Sequence, residues 1–228
     1  PAPTAPNAWT VDGGGAIWTH ERRGMPVASD ICAAPLLVSI GQPEDGRQLY
    51  LDLEAEGLVS LVGDVDTARA TARSIITEVA LSPLSDTVRV IVVGDLVSSG
   101  ASTLDHVVTV DDWAEAAEDL CAWAEQSSAV VEEHAWPNTF VGRGEDPDED
   151  GLAAVLVVAS KSPATEVLDV LRAKSPASLA LVVSDRVDGT ALTIDCQPDS
   201  LTIEELDLTC VPQELDQEVF ESLLDLLG

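Results

Sequence analysis

The sequence GLVSLVGDVDTARATARS, residues 57–74, has the outline of a phosphate-binding loop: an apolar strand, a glycine, a tight polar turn and a long helix. A working phosphate loop reads G-x-x-x-x-G-K-[ST]. Its glycines let backbone N–H groups surround the phosphates, its lysine reaches the terminal phosphates, and its hydroxyl holds Mg²⁺. In the same frame, Gly63 is followed by Ala68, Arg69 and Ala70 at the positions of the second glycine, the lysine and the hydroxyl. The motif therefore keeps its outline but lacks most of the groups that bind a nucleotide.

The carboxylates of Asp64 and Asp66 lie in the turn where phosphate would sit. Because the N-terminus of a helix attracts anions, fixed negative charge there competes with phosphate. The helix is expected to begin near Thr67, and Arg69 is expected to pair with these two aspartates. We interpret the loop as a degenerate nucleotide site and expect no cofactor. The alternative is a divergent ATPase that binds nucleotide through Gly63 and Arg69.

The composition restricts the classes of partner. The 228 residues include 41 acidic and 11 basic side chains, a formal net charge of −30, and the only lysines are Lys161 and Lys174. Such a surface repels phosphate backbones and anionic lipid, so direct binding of nucleic acid and membrane insertion by this fragment are not expected. The acidity indicates either a solvated surface or a docking face for a basic partner. We favour the solvated surface, because net charge governs solubility and association rather than fold.

The cysteines predict buried free thiols in a reducing compartment, because they form no C-x-x-C pair and have no histidine at ligand spacing. No apolar run approaches the roughly 18 residues that would span a bilayer. The chain begins at Pro1 rather than methionine. We expect a cytoplasmic domain from a longer protein, and the parent can be membrane-anchored. The cysteines are Cys32, Cys121, Cys196 and Cys210.

The chain is predicted to comprise an arm and one α/β domain. Residues 1–34 are rich in Pro, Gly and Ala and are expected to form an extended arm that packs through Trp9 and Trp18; residues 35–228 form the domain. Strands that alternate with helices imply a mostly parallel sheet with helices on both faces. The continuous apolar runs typical of buried strands are 58–62, 88–93, 152–159 and 179–183.

Apolar residues at spacings of three and four predict two long helices. Asp111 or Asp112 can cap the second helix, which extends to about His134. The inner face of the first helix is Ala68, Ala72, Ile75, Ile76 and Val79. The inner face of the second is Trp113, Ala117, Leu120, Cys121, Ala124 and Val131.

Turn residues predict the remaining connections. QPEDG at 42–46 has hairpin chemistry and precedes an alternating strand over 47–53. Asp188-Gly189 predicts a second hairpin, between the strand at 179–183 and one at 191–196. The other predicted segments are a polar loop over 137–151, a strand near 206–211 and a helix over 213–227.

The order of these segments resembles the P-loop ATPase domains of the FtsK family, and most of all the EccC-type ATPases of specialised secretion in actinobacteria. The resemblance covers residues 35–227 and implies a P-loop NTPase-like fold of the RecA/FtsK type. The family's second motif is an apolar strand that ends in adjacent acids for Mg²⁺ and water activation, but here the strand ends in Ala159-Ser160. The matching segments are PLLVSIG (35–41), DGRQLYLDLEAEG (45–57), LVSLVGD (58–64), VALSPLSD (79–86), VRVIVVGD (88–95) and DHVVTVDDWAEAAEDL (105–120).

Because two catalytic motifs are missing, the resemblance implies a non-catalytic scaffold rather than an enzyme. Degenerate domains of this type occur in large actinobacterial membrane proteins that also carry a LysM repeat and a bacterial transcriptional-activator domain, and this chain resembles them. It would dock neighbouring domains, a protein partner or copies of itself, through the helix at 112–134 and the arm. The other alternative is an acidic module that recruits a basic partner.

An acidic segment resembles half of a calcium loop. Asp146, Asp148 and Asp150 fit D-x-D-x-D-G, but the bidentate glutamate required at position twelve is Val157, in a predicted buried strand. We expect a solvated loop, with a weak Ca²⁺ site as the alternative. No catalytic triad is expected, because no G-x-S-x-G elbow accompanies the three scattered histidines, His20, His106 and His134.

Overall fold

The computed structural model describes residues 9–11, 17–20, 34–82, 88–97, 104–146, 149–174 and 179–227. Within them, twelve strands form one sheet and six α-helices are present. The strands are β1 (Trp9–Val11), β2 (Ile17–His20), β3 (Leu37–Gln42), β4 (Gln48–Asp52), β5 (Leu58–Gly63), β6 (Val88–Val93), β7 (Val107–Val110), β8 (Ala154–Ala159), β9 (Leu179–Val183), β10 (Leu192–Gln197), β11 (Ser200–Ile203) and β12 (Leu208–Pro212). The helices are α1 (Leu53–Glu56), α2 (Val65–Ala80), α3 (Trp113–Glu133), α4 (Thr139–Glu145), α5 (Thr165–Lys174) and α6 (Gln217–Leu227).

The sheet has a parallel half and an antiparallel half. Its strand order is β1-β2-β4-β3-β12-β11-β10-β5-β9-β8-β6-β7. The strands from β10 to β7 in that order pair in parallel, and the others pair antiparallel. The four predicted apolar runs are the strands β5, β6, β8 and β9, all inside the parallel half. The predicted α/β architecture is therefore confirmed.

Helices cover the parallel half on both faces. Along β6, Val90 and Val92 face a core that includes α2 and α6, whereas Ile91 and Val93 face a second core that includes α3 and α5. This alternation is the period of two expected for a strand buried on both faces. The predicted inner face of α2 is buried as expected. The inner face of α3 differs from the prediction: Ala117 and Cys121 are only half-buried, and Ala116 is buried instead. The buried residues of α3 are Ala116, Leu120, Ala124, Ser127 and Val131.

The hairpin predicted at Asp188-Gly189 is wrong. β10 does not pair with β9; it pairs in parallel with β5, with Ile194 opposite Leu61, so that β5 lies between them. The connection crosses β5 and is held to it by the N–H of Val187, which donates to Ser60 Oγ at 3.1 Å. Turn residues specify a local bend but not which strand the chain will pair with. The hairpin predicted over residues 42–46 is present between β3 and β4.

Several short elements differ from the prediction. The polar loop predicted over 137–151 contains α4, capped by Asn138 Oδ1, and a 3₁₀ turn at Asp150–Leu152. β11 and α1 were not predicted, because four residues are too few to show a period. α2 begins at Val65, before Thr67. α6 begins four residues later than predicted, because the preceding segment hydrogen-bonds elsewhere: the N–H of Leu215 donates to Ala70 O at 3.1 Å.

The described parts of the arm are strands. β2 pairs antiparallel with β4, and β1 pairs with β2, so the arm extends the sheet at its antiparallel edge. The side chains of Trp9 and Trp18, together with Cys32, lie outside the described part of the chain, and the boundary at residue 34 stays a prediction. None of the helices in the described ranges is long and apolar enough to cross a membrane.

Candidate functional site

The junction between β5 and α2 is where the sequence places the degenerate phosphate loop. β5 ends at Gly63 and α2 begins at Val65, so that Asp64 alone connects them. Gly63 makes the turn with φ +98°, a left-handed conformation that favours glycine. In a working motif the residues after the first glycine form a loop around the phosphates. Here Asp66 and Thr67 already belong to the first turn of α2, so the connection is one residue long and is shorter than a phosphate loop.

The N-terminus of α2 is occupied by a carboxylate of the protein itself. Asp64 Oδ1 accepts the N–H of Thr67 at 2.9 Å. Hydrogen bonds from the backbone and the side chain of Thr67 lower the pKa of Asp64, which favours the ionised form. An ionised aspartate at this cap satisfies the N–H group and the helix dipole that a bound phosphate would otherwise use.

The end of β10 closes the space beside Gly63. The N–H of Asp64 donates to the carbonyl of Cys196 at 2.7 Å. A Cβ atom placed on Gly63 would lie 2.5 Å from Asp195 Oδ1 and 3.1 Å from Gln197 Nε2. The junction is therefore crowded as well as negatively charged.

The predicted pairing of Arg69 with Asp64 and Asp66 is wrong. Its Nη2 donates to both carboxylate oxygens of Asp95, each at 2.8 Å, because α2 packs over β6 and Asp95 follows that strand. The bond to Arg69 is the main reason that the pKa of Asp95 is lowered to about 2, and Ser160 contributes a second hydrogen bond. The positive charge that remains from the motif is thus compensated within the protein.

The strand of the second family motif ends without acids, as the sequence indicates. β8 ends at Ala159, and Ser160 follows. Ser160 Oγ accepts the N–H of Asp95 at 3.4 Å, and the N–H of Ser160 donates to Val93 O at 3.1 Å. β8 therefore presents a hydroxyl that is bound to its neighbour, where catalysis would need carboxylates to hold Mg²⁺ and activate water.

A cleft of about 720 Å³ opens at the carboxyl ends of β6, β7 and β8. Ligands of open α/β sheets bind beyond the carboxyl ends of the strands, and this volume is in the range of small-molecule sites. Neither Gly63 nor Asp64 lines the cleft, so it lies beside the β5–α2 junction and not in it. Its polar lining includes Arg69, Asp95, Asp111, Asp112, Ser160, Lys161 and Gln217, with the indole of Trp113.

Most polar groups of the cleft bind one another. Trp113 Nε1 donates to the carbonyl of Lys161 at 2.9 Å, and Asp112 caps α3 by accepting the N–H of Ala114 at 2.9 Å. Arg69 and Asp95 form the ion pair described above. No histidine or cysteine is among the described residues that line the cleft.

The segment of the calcium alternative lies partly outside the described residues, and the alternative stays a prediction. Asp146 follows α4 and Asp150 begins the 3₁₀ turn, whereas Asp148 lies outside the described ranges. Val157, at the position that would need a bidentate glutamate, is buried in β8. In the part of the chain that the structure describes, no three potential ligands are close enough together to hold a metal ion.

The described histidines and cysteines show no activated nucleophile. His106 Nε2 lies 2.9 Å from Ala80 O, and the ring of His134 stacks on Trp136 with 4.3 Å between centroids. Burial raises the pKa of the Cys196 thiol to about 12 and that of Cys210 to about 11, so both stay protonated and unreactive. The free thiols in the described ranges are Cys121, Cys196 and Cys210.

A buried ion pair between Glu54 of α1 and Arg143 of α4 was not predicted. The two side chains are 5% and 7% exposed. Arg143 Nη2 donates to Glu54 Oε2, Arg143 Nη1 donates to Leu152 O at 2.9 Å, and Thr139 Oγ1 donates to Glu54 Oε1 at 3.1 Å. Burial raises the pKa of Glu54, and Arg143 opposes that rise. Because 89 residues separate the partners, no local pattern could reveal the pair.

No protein-family model and no curated protein matches the sequence, but solved structures do. The cytoplasmic domain of the type VII secretion ATPase EccC of Thermomonospora curvata matches 90% of this chain with a TM-score of 0.57 and 14% identity. ATPases 2 and 3 of T. curvata EccC, in complex with a signal sequence peptide, match 96% with a TM-score of 0.60 and 13% identity. ATPases 2 and 3 of EssC from Geobacillus thermodenitrificans match 90% with a TM-score of 0.62 and 13% identity. This chain has the FtsK/EccC-type P-loop ATPase fold.

The chain spans only part of these structures. It covers 32% of the EccC cytoplasmic domain and 49% of each of the two structures that contain ATPases 2 and 3.

The structural matches confirm, for the fold, the resemblance to FtsK/EccC-type domains that the sequence indicates. Identities of 13–14% carry no further conclusion about activity, substrates or partners.

Proposed function

We propose that this chain is a non-catalytic, ATPase-like interaction domain on the cytoplasmic side of a larger, membrane-anchored protein with a secretion-related or regulatory role. It keeps the sheet and helices of the ATPase fold and uses their surfaces to contact neighbouring domains or protein partners. The parent that the sequence resemblance suggests, an actinobacterial membrane protein with a LysM repeat and a transcriptional-activator domain, would supply such neighbours.

One observation carries the proposal: a single residue connects β5 to α2, and that residue is an aspartate whose carboxylate caps the helix. A nucleotide would have to displace Asp64, open the contact between Gly63 and the end of β10, and draw Arg69 away from Asp95. The end of β8 offers no acids in compensation. Compared with a working motif, this chain therefore lacks the phosphate cradle, a free cation at the lysine position and the acids that would hold the metal.

The interaction role is supported by what remains after the nucleotide site is lost. The fold retains a cleft at the carboxyl ends of its parallel strands and an acidic surface with apolar side chains exposed on it. A protein of the same fold, the double-ATPase fragment of T. curvata EccC, was solved with a signal sequence peptide. We propose a protein contact for this chain by analogy with that complex.

Titration calorimetry with Mg-ATP tests the loss of the nucleotide site. We expect no binding heat at millimolar ATP and no phosphate release. Asp64→Gly removes the carboxylate but keeps the one-residue junction, and it should stay silent because space as well as charge is missing. Saturable micromolar binding that Arg69→Ala abolishes would contradict the proposal and would support a divergent ATPase.

A further inference from the structure

Helix α6 carries more apolar surface than its packing against the body uses. Successive residues are about 100° apart around a helix, so its apolar side chains form one continuous arc. Phe220 and Leu224 occupy half of that arc and are buried in the core that includes α2. In the other half, Val219 is 48% exposed and Leu226 is 80% exposed, with the half-buried Leu223 between them.

These three residues form one surface, which we call the outer face of α6: Val219, Leu223 and Leu226. Their spacing of i, i+4 and i+7 is that of a helix that docks in an apolar groove. Single exposed apolar residues need no explanation, but a row along one helix face marks an interaction surface.

The segment that carries the outer face is acidic throughout. Between residues 213 and 227 it contains no lysine or arginine. Arg73 of α2 lies next to α6 and its charge acts on Asp216 and Glu221, but it is buried and donates to Gln217 Oε1 at 3.3 Å and to Leu96 O at 3.2 Å, so its charge is engaged inside the fold. The carboxylates of the segment are Glu214, Asp216, Glu218, Glu221 and Asp225.

The charge of this segment favours one of two molecules that could cover the outer face of α6, a second copy of the chain or a basic partner. Two copies that met through α6 would bring two sets of the same five carboxylates, and no lysine or arginine of residues 213–227, to one interface, and like charges across an interface oppose association. A partner with lysine or arginine beside an apolar surface would gain from both features. The net charge of −30 would also speed its approach.

We infer that the outer face of α6 docks a basic amphipathic segment of a partner protein. Apolar side chains of the partner cover Val219, Leu223 and Leu226, and its cations meet the carboxylates of the acidic segment. The inference rests on the proposed interaction role and names its chemistry. It does not depend on the state of the β5–α2 junction.

The test uses the full chain and a synthetic helical peptide of leucine and lysine, with the leucines at i, i+3, i+4 and i+7. By fluorescence anisotropy we expect micromolar binding that weakens as salt screens the charges. A peptide with the same lysines and with serine in place of leucine should bind at least about ten-fold more weakly, as should a Leu/Glu peptide.

Matched variants locate the site. Val219→Ser with Leu226→Ser should weaken binding of the Leu/Lys peptide about ten-fold. Val65→Ser with Leu81→Ser is the control, because Val65 in the first turn of α2 and Leu81 at its C-cap are 64% and 46% exposed and lie outside the outer face. The control pair should bind like the unmodified chain. All four side chains are exposed, so both pairs should keep the fold, which circular dichroism checks.

Three results would overturn the inference. One is unchanged peptide binding in the α6 pair; another is an equal loss in the α2 pair, which would assign the effect to the acidic surface as a whole. The third is a dimer in sedimentation velocity that the α6 pair abolishes, since a second copy would then cover the outer face. ATP binding alongside intact peptide binding would instead contradict the loss of the nucleotide site and leave the inference standing.

Discussion

Arg69 stands at the position of the motif lysine, and Asp64 lies in the turn where the phosphates of a working site would sit. Asp64 accepts the N–H of Thr67 at the helix N-terminus, and Arg69 forms an ion pair with Asp95. The N–H of Thr67 and the guanidinium of Arg69 are thus both bound by groups of the protein. If a nucleotide were to use either group, it would first have to replace one of these internal bonds, which adds to the cost of binding.

The buried pair of Glu54 and Arg143 makes a prediction about stability and pH. Arg143→Met leaves the Glu54 carboxylate buried without its cation and should lower the free energy of unfolding by about 3–5 kcal/mol near neutral pH. Burial already raises the pKa of Glu54, and loss of Arg143 raises it further. The fold then favours the protonated form of Glu54. The decrease in the free energy of unfolding caused by Arg143→Met should therefore be smallest below the unfolded-state pKa of about 4.3, and it should grow as pH rises through the folded-state pKa.

Urea unfolding at about pH 4 and about pH 7 measures this difference. Arg89→Met is the matched control, because Arg89 pairs with Asp119 at 3.4 Å and these side chains are 41% and 66% exposed. Exposed pairs contribute at most about 1 kcal/mol, so the control should change little. A loss that is the same at both pH values, or that equals the control, would show that burial of Glu54 does not govern the effect.

At the scale of elements, α2 depends on its own cap. Asp64→Ala removes the acceptor for the N–H of Thr67 and should lower the melting temperature by a few degrees. Asp66→Ala is the control: Asp66 lies in the same first turn but its side chain is not the cap acceptor, so it should change the melting temperature less. Thermal unfolding followed by circular dichroism compares them. Equal shifts would mean that charge near the helix N-terminus matters and the cap hydrogen bond does not.

The sequence predicts elements well where a local pattern is long and the partner follows from the fold class. β5, β6, β8 and β9 are continuous apolar runs, and the apolar stripe of α2 is buried where its spacing places it. Prediction fails where pairing is non-local. The chain after β9 crosses β5 to form β10, although Asp188-Gly189 has the chemistry of a hairpin.

The features of the candidate site also divide into those that a local pattern predicts and those that depend on non-local packing. The missing lysine, hydroxyl and acids could be read from the order of residues, because a motif is a local pattern. The partner of Arg69 could not, because Asp95 is 26 residues away and comes within reach only when α2 packs over β6. The one-residue junction also depends on where α2 begins. The apolar stripe predicts a start near Thr67, but Asp64 caps the helix and α2 begins at Val65.

For the whole molecule, the net charge of −30 acts on stability and on docking in opposite directions. Among the described residues, ion pairs such as Arg69 with Asp95 and Arg47 with Asp45 use some of the 11 basic side chains, and the sequence contains 41 acidic side chains. Self-repulsion of this kind destabilises the compact state. The same field attracts a basic partner to α6.

Added salt should therefore raise the melting temperature while it weakens binding of the Leu/Lys peptide. Screening shortens the Debye length from about 10 Å at 0.1 M to about 3 Å at 1 M, so repulsion between distant carboxylates fades early in the titration and the rise should then level off. NaCl and KCl should act alike at equal ionic strength, because screening does not distinguish them. Differential scanning fluorimetry measures the first effect and anisotropy the second. A melting temperature that falls with salt would mean that ion pairs contribute more to stability than the excess acid removes.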